Sequence, residues 1–571
     1  MNQPVFTIED HSGGMNRFVQ PFLLAPNEQI ETINMVATEF GGLALRKAIN
    51  PSVYHRINDD KIGAGRTVHS AELLTKYNGD QFIVSVLDNG VVNYAKVGNS
   101  ISDPSLTLSG SFTDSCMFLD TMFLVSLYDT TRSFNGTDFS TSTNVTGAPK
   151  GKFVEQYKAK VYIANCNVSG TSYPNRIVYS DLPSEDTIAW DNGNNYVDVE
   201  RDDGDKIMGM KKFGERLVIF KEYSMYRYDE SSVYKVVGAP GTVSHRSIES
   251  IDQALIYLAH DGIRVYDGGK SHLKSRAIQP YIDAISDHGK YYSFSWVDGS
   301  TYNIFVGDLT NQDYDIDIKD AVISYDIYTH EFRTYSFRND DVTYPFFDSI
   351  SVSNVSTDLT TTSTSTTTST TSTSTSTTST TTTMSSSTST STTTTSSSTT
   401  TTSTSTTSTS TTTTSTSTTT TSTTTTTTST TTSTTLPYVT YDSKKHFIAG
   451  YLGLYNLNNG YNERDSANES ITYSGEILYP HVYPTNPETI NTFDRANIYL
   501  SRAGNIKAKY RIDENEWIDI NTQVTGKDNV VSLKFNTKRG RGIQFWIETM
   551  SGAEPPVIRR LAIFLKPEGQ Q

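Results

Sequence analysis

Residues 204–237 read GDKIMGMKKFGERLVIFKEYSMYRYDESSVYKVV, and residues 247–269 read SIESIDQALIYLAHDGIRVYDGG. Leu217 to Phe220 is a short apolar run, followed after a polar step by Tyr223 to Tyr228, which alternates in character. Leu255 to Ala259 is a second apolar run, and Asp261-Gly262 separates it from Ile263 to Tyr266. Asp-Gly between two β-rich runs predicts a hairpin whose turn residues both take positive φ. The stretch therefore reads as two similar units of short antiparallel strands.

The same texture recurs on both sides. Upstream, Ala71 to Tyr77, Gln81 to Leu87 and Val91 to Val97 are three strand candidates separated by Asn78-Gly79 and Asn89-Gly90, a meander. Comparable apolar starts fall at Phe82, Met122, Val161, Leu217, Leu255 and Tyr291, most of them near 40 residues apart. Asp298-Gly299 turns the last into Thr301 to Val306. After a long low-complexity tract the pattern restarts at Phe447 to Gly450, with Asn459-Gly460 as its turn. Several strands per repeat at this period predict an all-β fold, a β-propeller of about seven blades. The only helical expectation is a short turn over Ala277 to Ile285.

From Ile471 the texture changes. Strand candidates at Ser474 to Pro484, Arg495 to Leu500, Lys507 to Ile512, Trp517 to Ile520, Val530 to Phe535, Ile543 to Glu548 and Val557 to Leu565 predict a small C-terminal β-sandwich over 476–571. The full expected division is an N-terminal extension with closing strands (1–60), propeller blades (61–355), a Ser/Thr-rich insertion (356–436), remaining propeller strands (437–475) and that sandwich.

Thr360 to Thr435 is Ser and Thr throughout, apart from Met384. Such a segment brings no apolar area to offset ordering entropy, so disorder is expected. Strand-like sequence on each side, Tyr344 to Val352 and Tyr438 to Tyr441, predicts a loop between two strands of one blade or between neighbouring blades.

Net charge is −15 over 571 residues, which argues against binding nucleic acid by phosphate neutralisation. Residues 476–571 hold 13 Lys and Arg against 11 Asp and Glu, so that end is +2 and the rest −17. Two cysteines, Cys116 and Cys166, are too few for a disulfide framework. The N-terminus lacks the basic and apolar regions of a secretion signal, and no run reaches membrane-spanning length, so synthesis in a cytoplasm is expected.

Chemistry is sparse. The ten histidines are scattered, no Walker loop or G-x-S-x-G occurs, and no cofactor is expected. Asp313, Asp315 and Asp317 alternate as a weak metal candidate, but the positions where a calcium loop wants Gly and Glu hold Ile318 and Ser324. An acidic hairpin tip is the simpler reading. Lys538, Arg539 and Arg541 form a basic patch that could touch phosphates or be a solvated turn. Acids from different blades can meet at a propeller centre, a pairing that linear spacing does not reveal.

Residues 161–190, VYIANCNVSGTSYPNRIVYSDLPSEDTIAW, resemble a blade of tailed-phage virion proteins: an apolar strand, a variable loop, then Arg176-Ile177-Val178-Tyr179-Ser180 leading to Trp190. Gly204-Asp205, the 217–222 strand, Ser224-Met225-Tyr226-Arg227, residues 241–247 and DGIRVYDGG continue the likeness. The N-terminal GGMNRFVQPFLLAPNEQIETINM is similar to the start of the same proteins. The family is the β-propeller tail-hub or nozzle group of short-tailed bacteriophages, including packaged-DNA stabilisation (tail accessory) proteins. The resemblance implies a non-enzymatic virion component in a ring, a hexamer, that extends the DNA channel and helps retain DNA until ejection. Its partners would be portal or adaptor proteins, other tail proteins, and DNA passing without sequence-specific contact. The competing expectation is a carbohydrate-binding or glycan-cleaving propeller with the Ser/Thr tract as a stalk.

Overall fold

Turn geometry sets the strand pairing. Phe118 pairs with Thr121 and Tyr157 with Lys160 across the two-residue turns Leu119-Asp120 and Lys158-Ala159. All four turn residues hold positive φ, at 50°, 57°, 43° and 44°. Such primed turns twist in the same sense as the strands they join. Asp261-Gly262 departs from expectation. Ala259 pairs with Gly262, so His260 and Asp261 make the turn and positive φ, 135°, falls on Gly262 alone. Asn78-Gly79 and Asn89-Gly90 also place it only on their glycines, at 88° and 80°. A turn followed by a positive-φ glycine reverses the chain equally well.

The computed structural model describes residues 5–38, 40–56, 66–97, 106–137, 144–184, 187–337, 346–352, 445–450, 453–457, 463–464, 470–471, 473–502, 504–523, 529–551 and 555–566. The chain is an all-β propeller. Six antiparallel blades have three or four strands each, five of them in chain order over residues 68–107, 114–134, 150–198, 207–235 and 249–273. The sixth pairs Asp348–Val352, Lys445–Gly450 and Gly453–Asn456, and Asn50–Arg56 completes it from the other end of the chain. First strands of successive sheets lie side by side: Val68–Thr75 with Asp114–Phe118, that with Lys150–Tyr157, and that with Ile207–Phe213. Asp348–Val352 returns to Val68–Thr75 and closes the ring.

Between the blades at 249–273 and 348–456 stand Phe294–Asp298, Thr301–Asn311, Ile316–Asp326 and Phe332–Ser336, paired in that order. This sheet continues through Glu31–Ile33, Ser474–Leu478, Ile543–Met550, Asn505–Ile512 and Ile518–Gln523, nine strands in all. The link is one parallel contact, Ile33 beside Thr334. A six-stranded sheet gathers Val5–Ile8, Met35–Ala37, Leu43–Leu45, Asn491–Leu500, Val530–Gly540 and Ile558–Leu565. Met35, Ile477, Phe493, Leu533, Phe545 and Ile563 share one core between that sheet and the far half of the nine-stranded one. The strands expected over 474–565 form, yet four N-terminal strands are built in among them, and 1–355 with 441–571 make one compact unit. A division at 476 leaves those N-terminal strands out of account.

Two local differences have plain causes. Tyr291 and Tyr292, expected to open a strand, instead end the helix Asp287–Tyr292, which Ser286 caps by accepting from the Gly289 N–H. The strand starts at Phe294. The helical turn expected over 277–285 is a 3₁₀ turn, Ser275–Ile278, running into the helix Gln279–Asp283.

Asp348–Val352 and Lys445–Gly450 pair directly, from Asp348 opposite Ala449 to Val352 opposite Lys445. Residues 353–444 therefore connect adjacent strands of one blade. The tract itself, the expected strand at Tyr438 to Tyr441 and the expected turn at Asn459-Gly460 lie outside the described residues. Replacing 353–444 by a five-residue turn shortens the connection by about four halvings, each worth roughly 0.6 kcal/mol of closure entropy. Chemical unfolding of the shortened protein is expected to show an intact fold, more stable by roughly 2–2.5 kcal/mol. A lower midpoint would mean that the segment contributes contacts of its own.

Candidate functional site: the charged axis and the cleft beside it

Residues 161–222 build blades through paired polar contacts. Arg176 makes a two-pronged ion pair with Asp198 on the next strand (2.7 and 2.8 Å), its guanidinium 4.0 Å from the Tyr173 ring centre and 3.8 Å from that of Tyr196. Ser180 accepts from the Val161 N–H (3.1 Å) and bridges to Trp190. Lys221, fully buried, donates to both Asp203 carboxylate oxygens (2.7 and 2.6 Å) and to the Glu200 carbonyl (2.9 Å). Gly241 passes so close to this strand that a Cβ there would sit 1.8 Å from the Lys221 carbonyl oxygen.

Downstream of Gly241 the chain makes a 3₁₀ turn, His245–Ser247, that projects into the propeller axis. The His245 ring rests where Gly209 lacks a side chain, since a Cβ at 209 would lie 2.7 Å from Nδ1. His245 Nε2 is 3.0 Å from Asp114 Oδ2. Arg246 reaches across the axis and donates from Nη1 to the carbonyls of His69 and Phe347, both at 3.0 Å. From Nη2 it donates to Ser70 Oγ (2.7 Å) and the Thr113 carbonyl (3.0 Å), with Asp348 Oδ2 at 3.3 Å. One side chain thus ties the first strands of three blades.

Those strands also hold one another. Asp348 Oδ2 accepts from the Ala71 N–H (2.8 Å), Asp114 Oδ2 from the Val154 N–H (2.7 Å), and Ser115 Oγ donates to Glu72 Oε2 (2.7 Å). Each contact crosses from one blade to the next. The first strands contribute five carboxylates, Glu72, Asp114, Glu155, Glu249 and Asp348, against Lys211, Arg246 and the His245 ring. Burial, with the Asp348 and Asp114 charges, pushes the Glu72 carboxyl well above its usual range. Burial likewise raises Glu155, Glu249 and Asp348. Asp114 goes the other way: burial pushes it up, but the His245 and Arg246 charges and the Val154 N–H outweigh that. Burial alone would lower Lys211, yet the surrounding carboxylates leave it raised. Two acids from neighbouring blades, Glu72 and Asp114, are thus pushed in opposite directions at the axis. Both are engaged in holding blades: Glu72 accepts from Ser115, and Asp114 from His245 and the Val154 amide.

A cleft of about 600 Å³ opens beside the His245-Arg246 turn, lined by Phe112, Tyr128, Lys152, Phe153, Tyr291 and Tyr292 among others. Lys152 Nζ donates to the Tyr291 hydroxyl (2.8 Å) and lies 5.1 Å from its ring centre. Phe112 stands 5.5 Å from Tyr292 and 5.0 Å from the stacked His69 ring. None of these residues belongs to a sequence motif. Only the ring closure brings them together.

The sequence candidates lie elsewhere. Asp313 and Asp315 sit in an exposed turn, Asp315 at φ 54°, and Asp317 pairs with Lys319 at 2.9 Å. Among the described residues no group of His, Cys, Asp and Glu has an arrangement that would hold a metal ion. Asp313 lies in the 3₁₀ turn Gln312–Tyr314 and Asp315 ends that turn in the left-handed region, so only Asp317 is in the strand Ile316–Asp326 and the period of two that would line the three up on one face is broken. Lys538, Arg539 and Arg541 are all exposed, on and just beyond the strand Val530–Gly540, and the Arg541 N–H donates to Asp513 (2.8 Å).

Arg246→Ala strands Asp348 and leaves several carbonyls without donors, a loss of roughly 3–5 kcal/mol. Thermal and chemical unfolding are expected to show it, while Arg246→Lys recovers only part, having no planar fork. Glu72, Glu155, Glu249 and Asp348 bind their protons more tightly folded than unfolded, so stability falls as pH rises above ordinary carboxylate values toward neutrality. Asp114 contributes the opposite sign, lost only on strong acidification. His11, His69 and His481, lowered by burial, contribute the opposite sign near neutrality, so the acids' contribution is read as the difference between the wild type and Glu72→Gln in how the melting temperature changes from pH 5.5 to 7.5. Glu72→Gln should raise the melting temperature at pH 7.5 and make that change more positive; a destabilised Gln variant would contradict the assignment.

No family model matches the sequence, and no curated protein matches it either. Solved structures that match include the computationally designed Ika8 protein (TM-score 0.30, 11% identity, 52% of this chain and 92% of that one). The C-terminal WD40 domain of Sif2 matches with TM-score 0.30, 13% identity, and 50% and 75% of the two chains. The WD40 β-propeller domain of Doa1 matches with TM-score 0.29, 9% identity, and 50% and 90%.

Proposed function

We propose that this chain is a structural subunit of a tailed-phage virion, a tail hub, nozzle or neck component. Made in the host cytoplasm, it would assemble as a ring of six copies against portal or adaptor proteins and the next tail component. The ring would extend the DNA channel and help retain packaged DNA until ejection. No catalysis and no cofactor are part of this role. In this reading the strands Phe294–Asp298 to Phe332–Ser336 count as a seventh blade, and the two sheets around the C-terminal core are a β-sandwich.

The observation that carries the proposal is the tie at the axis. Arg246 and His245 engage the charged centre in holding blades together, which suits a rigid building block. DNA would pass through the opening between subunits, because the propeller's own axis is crossed by Arg246. An acidic lumen would let phosphates slide without gripping them. The exposed Lys538, Arg539 and Arg541 edge and the acidic Asp313–Asp317 tip lie on different sheets, opposite charges of the kind a head-to-tail contact uses. The basic edge has a second possible use against DNA phosphates.

Native mass spectrometry and light scattering are expected to find a closed ring whose formation weakens at high salt. Exchanging Lys538, Arg539 and Arg541 together for Glu should shift it toward monomer without moving the melting temperature. A monomer at all concentrations that releases sugar from glycans would overturn the proposal in favour of the glycan-cleaving reading.

A further inference from the structure

The cleft beside the axis has a composition that the structural role does not use. Three large rings at its edge are open to solvent, Phe112 at 41%, Tyr128 at 65% and Tyr291 at 43% exposure. They come from different elements: the segment before Asp114–Phe118, the segment between Thr121–Val125 and Arg132–Phe134, and the helix Asp287–Tyr292. Single exposed rings are ordinary on a protein surface, whereas three converging on one concavity of about 600 Å³ are not.

Charge narrows the ligand. Arg246 lies against the cleft, but both of its terminal nitrogens already donate to carbonyls and Ser70 Oγ. His245 is directed at Asp114. Among the described residues Lys152 is the remaining cation of the wall, and it is turned onto the Tyr291 hydroxyl and ring. A phosphate, sulfate or carboxylate would find no free cationic fork there, and Asp88 and Asp114 in the same wall would repel it. Hydroxyl and amide groups remain, from Asn89, Ser109 and Thr113. The Thr113 hydroxyl is buried, 5% exposed, and has no hydrogen-bond partner among the described residues. Aromatic faces beside neutral donors and acceptors complement a pyranose ring, which has an apolar C–H face and a rim of hydroxyls.

We infer that this cleft is a binding site for a neutral saccharide, held by Phe112, Tyr128 and Tyr291 and oriented by the polar groups between them. The site is complete within one chain, so it stands or falls independently of ring assembly. It calls for binding only. In the assembled particle it would offer a contact for uncharged cell-surface glycan.

The test is a glycan array probed with the full chain, followed by titration calorimetry with the best neutral hexose or N-acetylhexosamine oligosaccharide. Binding is expected in the micromolar to millimolar range. Tyr128→Ala and Tyr291→Ala, at exposed positions, should each weaken it by about tenfold while leaving the melting temperature and assembly state unchanged. Lys152→Met should leave neutral-glycan binding within about threefold. No binding to any neutral glycan would overturn the inference. So would binding restricted to sialylated or sulfated glycans, or binding that both tyrosine variants retain.

Discussion

One guanidinium ties three blades of the propeller at their inner edges. A ring of sheets has no central core of its own, and the inner edges of its blades must be joined by something. Beside the direct bonds between neighbouring first strands, Arg246 ties three blades at once, with donors reaching Val68–Thr75, the segment before Asp114–Phe118, and the approach to Asp348–Val352. The arrangement is costly in isolation because it draws carboxylates into a confined space. Asp348 and Asp114 face Arg246 and His245 there, whereas burial and the neighbouring carboxylates push Glu72 upward. The same crowding that raises four carboxyls makes the pairing strong. Axis chemistry and blade cohesion are therefore one property.

Closure at the chain's ends follows a similar logic. Asn50–Arg56 supplies the fourth strand of the blade that begins at Asp348, so blade closure unites sequence positions about 400 residues apart. Strands Val5–Ile8 to Leu43–Leu45 then enter the C-terminal sheets, and Glu31–Ile33 lies between Phe332–Ser336 and Ser474–Leu478. An exposed edge at Phe332–Ser336 would be free to pair with other chains; Glu31–Ile33 covers it. The N-terminal segment is thus a seam, which explains why its own hydrophobic pattern is weak. Three-residue strands inserted between longer partners carry too few alternating positions to register.

Much of the blade architecture was legible from local chemistry. Apolar runs such as Leu217 to Phe220 and Leu255 to Ala259 lie within strands because they are buried on both faces between neighbouring blades. Turns with Asn-Gly and Asp-Gly were also visible, although the positive φ sits on the glycine alone. Leu119-Asp120 and Lys158-Ala159 were not, because neither pair advertises the left-handed conformation that the ring imposes. The site was hardly legible at all. Arg246 is one residue of GTVSHRS, and its partners lie 101 to 177 residues away. Nothing in spacing says which carboxylates will face each other across a closed ring.

The contrast between axis and cleft completes the physical picture. Both are lined by the same inter-blade segments: the consecutive residues Thr113 and Asp114 line the cleft and also reach the axis, Thr113 through its carbonyl to Arg246 and Asp114 through His245. Asp114 is saturated by His245 and the Val154 amide, whereas the Thr113 side-chain hydroxyl has no partner among the described residues, although its carbonyl serves Arg246. Cationic charge has been gathered inward, where it closes the ring, or turned onto a ring as in Lys152, and the cleft is left aromatic with the Asp88 and Asp114 carboxylates in its wall. A cleft whose cations are all engaged holds a ligand by shape and hydroxyl placement and not by electrostatic attraction. That separation lets an acidic chain present a binding surface that neither its own field nor salt would strongly modulate.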